Sequence, residues 1–280
     1  GSASNVTYEY GLGFTPDFVW IKNRDTSNTH LIYDSTRGAG KFISSATTNA
    51  EAGDAGDLLG SFDTGGFSVN TTLSGGTNPS SNANGEDFVA WCLKANGGTT
   101  SSNTDGSITS TVQVNDAAGF SIVKYTGNNT ANATIGHGLS ATPQLIISKN
   151  LSNGSAYWAT YHHSIGITRK FYLNDTSTGD TVSGGWLDVS STLITLKQIN
   201  ANNINENGSD FINYCFAEVE GFSKFGSYTG NGSTDGPIVE TNFEPAYVMI
   251  KGSSIGSNWN IHDNKRGGQF NDAYLFANTG

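Results

Sequence analysis

FTPDFVWIKN (Phe14–Asn23), ATPQLIISKN (Ala141–Asn150) and FEPAYVMIKG (Phe243–Gly252) are three spellings of one unit. They align on Pro16, Pro143 and Pro245, and each reads as proline, two spacers, an apolar run and a lysine. Proline is tolerated at the first residue of a strand, where it need not donate to the ladder. A short apolar run bounded by turn residues has the length of a buried strand and is too short for a helix. The stretch therefore predicts a strand, and its recurrence predicts a fold built from repeats.

Further blocks follow in the same order. LIYDSTRG (Leu31–Gly38), ATYHHSIG (Ala159–Gly166) and NIHDNKRG (Asn260–Gly267) each run from a strand into a turn. KFISSATTNA (Lys41–Ala50), KFYLNDTSTG (Lys170–Gly179) and AYLFANTG (Ala273–Gly280) come next. The cysteine strands DFVAWCLKA (Asp87–Ala95) and DFINYCFAE (Asp210–Glu218) close the first two copies. Pro16 to Asp87 is 71 positions and Pro143 to Asp210 is 67, so the internal spacing is nearly kept. An opening block also recurs, as GFSIVKYTGN (Gly119–Asn128) and GFSKFGSYTGN (Gly221–Asn231).

These landmarks divide the chain into a first repeat at 1–98 with an incomplete opening strand, a linker at 99–106, a complete second repeat at 107–221 and a partial third at 222–280. Each repeat is expected to seal its own apolar interior. Cys92 and Cys215 then lie in different cores, too far apart for a disulfide, whose Cα atoms must come within about 7 Å. Both are expected free and buried, with Phe88, Ala90 and Cys92 on one strand face.

Composition agrees. Charged residues are 14% of the 280, aromatics 11%, and glycines number 36. Good helix formers are scarce, while Val, Ile, Thr and aromatics fill short runs between Gly, Asn and Asp. The fold class predicted is all-β: tandem antiparallel β-sandwich repeats, jelly-roll or concanavalin-like. Ala50–Leu59 is the best helical candidate, weakened by two glycines. Phe18, Trp20, Phe88, Trp158, Trp186, Phe211 and Trp259 are expected to dominate core burial. The net charge is −10 and no basic stripe is visible, which argues against a nucleic-acid partner. No run approaches the ~18 apolar residues of a membrane helix, so no membrane partner is expected.

GAGK (Gly38–Lys41) lacks the spacing and the hydroxyl of a phosphate loop, and reads as a turn. Adjacent His162 and His163 would point to opposite faces of a strand, a poor start for one metal site. Glu218 and Glu220 share a strand face, but the sibling strand carries Leu93 and Ala95 there, so a solvated face is preferred to a glycosidase pair. Asp54, Asp57, Asp175 and Asp180 lie in glycine-bearing loops, the setting that could offer oxygen ligands to Ca²⁺; no full ligand string accompanies them, and no cofactor is expected. Asp34–Arg37 and Asp263–Arg266 match between the first and third repeats, and read as turn-stabilising pairs. For stacking on a glycan the candidates are Trp186, Tyr125 and Tyr228; core packing is the preferred reading for the two tyrosines, and Trp186, after two glycines, is left open between the two. No catalytic residue is proposed.

The blocks GFTPDFVWIKNR, YDSTRGAGK, LGSFDTGGFSV and NGEDFVAWCLKA resemble a repeated module found in uncharacterised structural proteins of marine bacteriophages. The later copies resemble its companion form. The resemblance covers nearly the whole chain and departs from the usual pattern at Leu93, where tryptophan is common. It implies a non-enzymatic virion component of tail, fibre or capsid surface, with a concanavalin-like sandwich suspected. Expected partners are other virion subunits, copies of itself and host surface glycans, at a virion or extracellular location. The alternative is a glycan-binding adhesin or receptor-binding module on a virion or bacterial surface. Because the repeats at both ends are incomplete, either the chain is part of a longer protein or neighbouring subunits complete each other's sandwiches by strand exchange.

Overall fold

A computed structural model describes residues 11–53, 59–69, 80–198, 201–266 and 274–280. Its elements are β-strands and two short 3-10 turns. The first repeat supplies β1 (Phe18–Asn23), β2 (Leu31–Asp34), β3 (Lys41–Phe42), β4 (Ala52–Gly53), β5 (Leu59–Asp63), β6 (Gly66–Val69) and β7 (Phe88–Leu93). Then come β8 (Ser101–Asn103), β9 (Ser110–Asn115), β10 (Phe120–Thr126), β11 (Ala133–Gly136), β12 (Leu145–Asn150) and β13 (Ala159–His162). The second repeat continues with β14 (Arg169–Tyr172), β15 (Asp180–Thr181), β16 (Leu187–Val189), β17 (Leu193–Leu196) and β18 (Asp210–Phe216). The third gives β19 (Tyr247–Lys251), β20 (Trp259–Asp263) and β21 (Leu275–Phe276). The all-β prediction holds, with every named strand pair antiparallel.

Equivalent blocks pair in the same order. In the first repeat β7, β1 and β2 are neighbours, and an Ile32–Ile43 bridge continues the sheet toward β3. In the second, β18, β12, β13 and β14 follow the same order inside an eight-stranded sheet β15-β14-β13-β12-β18-β10-β9-β8. In the third, β19, β20 and β21 do. The register is conserved too: Phe18 faces Leu93 and Val19 faces Cys92, as Leu145 faces Phe216 and Ile146 faces Cys215.

The sheets stack in layers. On one face of the large sheet, Val123, Ile146, Phe211 and Cys215 pack against Ile135, Leu187, Ile194 and Leu196 of the small sheet β11-β17-β16. On its other face, Ile122, Ile147, Phe171 and Tyr214 pack against Phe18, Trp20 and Ile32 of the first repeat and Trp259, Ile261 and Ala277 of the third. On the far side of the first sheet, Val19, Ile21 and Tyr33 are covered by Leu59, Phe62 and Phe67 from the β5–β6 hairpin. Strands such as β1 and β12 are thus buried on both faces along their whole length.

This corrects the expectation of one closed interior per repeat, because the middle core is shared by all three. The physical reason is area: a three-stranded sheet has two apolar faces, and a second sandwich layer covers only one. Within the expected linker, Ser101–Asn103 pairs with β9 as the outermost strand of the large sheet. The described residues of Ala50–Leu59 are not helical: Ala52–Gly53 pairs with Lys41–Phe42, and Leu59 opens β5. Residues 54–58 between them lie outside the described set.

Candidate functional site

The lysine that ends each repeated strand has one job in all three copies. Lys22 Nζ donates to the carbonyls of Thr26 and Asn28 at 3.1 and 2.8 Å. Lys149 Nζ donates to Ala156 and Thr48 at 3.0 and 2.9 Å, and Lys251 Nζ to Ser257 and Thr176 at 2.7 and 2.9 Å. Each thus closes the loop that follows its own strand. The second and third also reach into the preceding repeat. Burial lowers the pKa of all three, that of Lys149 to about 8. Three donors on a flexible stem suit a point charge that gathers loop carbonyls.

The residue preceding each second block sits at the same junction. Trp158 Nε1 donates to the carbonyls of Ser44 and Thr47 at 2.9 and 3.1 Å, in the first repeat. Trp259 Nε1 donates to the Tyr172 carbonyl at 2.9 Å, in the second. His30 takes this place in the first repeat, where its Nδ1 accepts from Trp20 Nε1 at 2.7 Å. Its Nε2 stands beside the Phe276 backbone without completing a hydrogen bond. Burial, with a smaller push from Lys22, lowers the His30 pKa to about 3, so the ring is neutral.

The most elaborate sites are the corners where the cysteine strand of one repeat meets the Asp–Arg turn of another. Asp34 and Arg37 are an ion pair with both side chains fully buried. The turn fixes them: the Arg37 N–H donates to Asp34 Oδ1 at 2.9 Å, and Arg37 Nη2 to the Ile32 carbonyl at 3.0 Å. Tyr214, from β18 of the second repeat, donates its hydroxyl proton to Asp34 Oδ2 at 2.7 Å. Burial pushes the Tyr214 phenol well above its ordinary range, and the Asp34 carboxylate adds to this. Burial alone would lower the Arg37 pKa; Asp34 outweighs it and holds the guanidinium charged.

The second corner repeats the first with another aromatic. The Arg266 N–H donates to Asp263 Oδ1 at 3.1 Å, and Arg266 Nη2 to the Ile261 carbonyl at 3.3 Å. Trp91 Nε1, from β7 of the first repeat, donates to Asp263 Oδ2 at 3.1 Å, and the Arg266 guanidinium lies 5.6 Å from the Trp91 ring centre. Trp91 and Tyr214 hold equivalent places on their strands. At the third corner the charged pair is replaced by His162 and Ile165. Phe225 covers it, 6.4 Å from the His162 ring, and the Phe225 carbonyl is 3.0 Å from His163 Nε2.

Chemically these corners are joints. A buried ion pair contributes little net stability, because desolvation offsets the attraction, yet losing one partner strands the other's charge. Such a contact tolerates one geometry and therefore fixes how two repeats meet. The sequence reading found both Asp–Arg pairs but not their aromatic partners. The signal was present as an offset: Asp–Arg turns in repeats one and three, proton-donating aromatics in repeats one and two.

Other sequence candidates fall as follows. Trp186 is fully buried among Ile194, Leu196 and their neighbours, with Nε1 donating to the Arg169 carbonyl at 3.0 Å. Tyr125 is buried, stacked on Phe211, and donates to the Ile204 carbonyl at 2.7 Å. Neither offers a ring face to a sugar; of the three, Tyr228 is exposed. Cys92 and Cys215 are free and belong to different clusters, Cys215 buried and Cys92 half-buried. His162 ends β13 and His163 begins a 3-10 turn, so strand alternation does not apply and their rings lie 5.1 Å apart. Burial, aided by His163, lowers the His162 pKa to about 4. Glu218 and Glu220 lie past the end of β18 in a turn, where Lys224 bonds Glu218 at 2.6 Å and lowers its pKa. Gly38–Lys41 is the turn from β2 to β3, closed by the Gly38 N–H on the Asp34 carbonyl at 3.0 Å. Asp180 accepts from the Tyr172 hydroxyl, and Asp175 Oδ1 from the Ser177 N–H at 3.3 Å. Asp54 and Asp57 lie outside the described residues. Among the described residues, no three His, Cys, Asp or Glu side chains are grouped to hold a metal.

A family described as "Domain of unknown function (DUF7483)" matches residues 1–279, and the chain belongs to it. Neither the curated proteins nor the solved structures contain a match to this sequence.

Proposed function

We propose that the chain is non-enzymatic building material of a bacteriophage particle, a tail, fibre or capsid-surface component that assembles with its own copies and with other virion subunits. The observation that carries this reading is the repeated corner. The same Asp–Arg turn receives an aromatic donor from another repeat, once as Tyr214 on Asp34 and once as Trp91 on Asp263. Polar side chains that a binding or catalytic site would present to solvent are here spent on joining repeat to repeat. The lysine and tryptophan contacts across the same junctions follow this pattern. The phage-module resemblance supplies the kind of particle.

The test is physical location. Purified virions carrying this gene are digested and read by mass spectrometry, with the chain expected at structural stoichiometry. Its absence from particles, with presence in the infected-cell lysate, defeats the reading. A glycan array tests the host-glycan role separately. There Tyr228, exposed in the opening block of the third repeat, is the residue to replace by alanine.

A further inference from the structure

One group of polar side chains in the second repeat joins it to no other repeat. Between β9 and β18, among the described residues, Tyr157 is the one large apolar side chain left exposed, at 44%. Asn203 Nδ2 donates to the Tyr157 carbonyl at 3.2 Å and fixes the backbone there. The Tyr157 ring lies 5.0 Å from that of Tyr172, tilted by 46°. The Tyr172 hydroxyl donates to Asp180 Oδ2, which leaves Oδ1 of this exposed carboxylate available.

Lys170 is the cross-strand partner of Asp180 and is 5% exposed. Its Nζ lies 5.5 Å from the Tyr172 ring centre and 5.7 Å from that of Trp186. It donates to Gln198 Oε1 at 3.3 Å, its one hydrogen bond among the described residues. Lys22, Lys149 and Lys251 each hold two carbonyls instead. A buried ammonium with donors unfilled is costly, and it calls for a group that completes the set.

The sibling repeats show that folding does not require this cluster. By pairing register, Phe42 and Ala52 stand in the first repeat where Lys170 and Asp180 stand in the second. Tyr274 takes the Lys170 place in the third. Thr29 and Asn258 take the place of Tyr157, each one residue before the block that β2 or β20 opens. The unit thus forms without either charge and without the exposed ring.

We propose that Tyr157, Asp180, Lys170 and Gln198 form a binding site for one neutral sugar ring of a glycan. The C–H face of the sugar lies on the exposed Tyr157 ring, whose face is negative. Asp180 Oδ1 accepts from one hydroxyl, and the spare donors of Lys170 and Gln198 serve others. A few fixed polar groups around an apolar platform orient a small ligand. The exposed Asp180 carboxylate repels acidic sugars and phosphate groups, and the net charge of −10 acts in the same direction. The inference goes beyond the building-block reading and does not rest on it.

The experiment is saturation-transfer NMR on the full chain with the methyl glycosides of glucose, mannose, galactose and N-acetylglucosamine. Saturable transfer to at least one of them is expected. Tyr157→Ala and Asp180→Asn change exposed side chains, so both should melt like the parent, and each should weaken that sugar about tenfold. Tyr228→Ala should bind as the parent does. Transfer to none of the four sugars overturns the proposal. So does binding that survives both Tyr157→Ala and Asp180→Asn, or that is lost in Tyr228→Ala, since the sugar then sits elsewhere. A methyl glucuronide that binds more tightly than every neutral glycoside overturns it as well. None of these results bears on whether the chain is found in virions.

Discussion

Tyr214 of the second repeat donates its hydroxyl proton to Asp34 of the first at 2.7 Å, 180 residues apart in sequence. Trp91 of the first does the same to Asp263 of the third at 3.1 Å. The two contacts differ in depth, since the Asp34–Arg37 side chains are fully buried and those of Asp263–Arg266 are 7% and 5% exposed. The first corner should therefore be the more sensitive. Tyr214→Phe removes one donor from a buried carboxylate and should cost about 1–3 kcal/mol in denaturant unfolding. Asp34→Ala leaves the buried Arg37 charge with Glu51 alone, at 3.3 Å, and should cost about 3 kcal/mol. A Tyr214→Phe protein as stable as its parent would remove this corner from the account of how the repeats are joined.

Acid should loosen the junction at His30. The folded pKa is about 3 and the ordinary value 6.5, so the unfolded chain binds a proton that the folded chain refuses. Stability from the neutral ring is complete above pH ~6.5 and is lost as pH falls toward the folded value. Between pH 6.5 and 4 the loss is about 3 kcal/mol at 1.36 kcal/mol per unit. His162, with its pKa lowered to about 4, acts in the same direction. His30→Asn keeps an acceptor for Trp20 Nε1 and removes the titration. Melting temperatures across pH 4–7 should fall less steeply in that variant, and an unchanged slope would show the effect lies elsewhere.

Thiol reactivity checks the cysteine placement. Burial raises both pKa values to about 12, leaving little thiolate at neutral pH. Native protein at pH 8 should react with an aromatic disulfide reagent far more slowly than unfolded protein, which should yield two thiols. Half-buried Cys92 should be modified before Cys215. No thiol after unfolding would mean a disulfide between the two and would contradict the separate clusters.

Two glycines that head the same repeated block should respond differently to alanine. Gly119 has φ +61°, and an added Cβ would lie 2.2 Å from the Ala217 carbonyl oxygen. Gly221 has φ +74° and open space around it. Gly221→Ala should cost about 1 kcal/mol of left-handed strain. Gly119→Ala adds a backbone collision and should cost clearly more, read from the denaturation midpoints. Equal costs would show that β10 does not sit as closely on the end of β18 as described.

How much was legible beforehand follows from what local sequence encodes. Pro16, Pro143 and Pro245 mark strand starts, and the runs after them pair in one order in every copy. The separate placement of Cys92 and Cys215 followed from repeat equivalence. Core packing, the preferred reading for Tyr125, holds, whereas Trp186 stays open in the sequence because the two glycines before it look alike beside a buried or an exposed ring. His162 and His163 were misread because the strand stops between them, and strand ends are set by pairing partners.

The sequence by itself determined the strands, the repeat and the residue at each equivalent position, since periodicity and turn chemistry act over a few neighbours. The uninterrupted apolar runs Val19–Ile21 and Leu145–Ile147 even stated that both strand faces would be covered. Only the tertiary structure decided what covers them. The shared core of Trp20, Ile147 and Trp259, and the corners where Tyr214 meets Asp34 and Trp91 meets Asp263, join residues from different repeats. Such contacts depend on how whole sheets stack, and the free energy that selects one stacking is spread over every buried face at once.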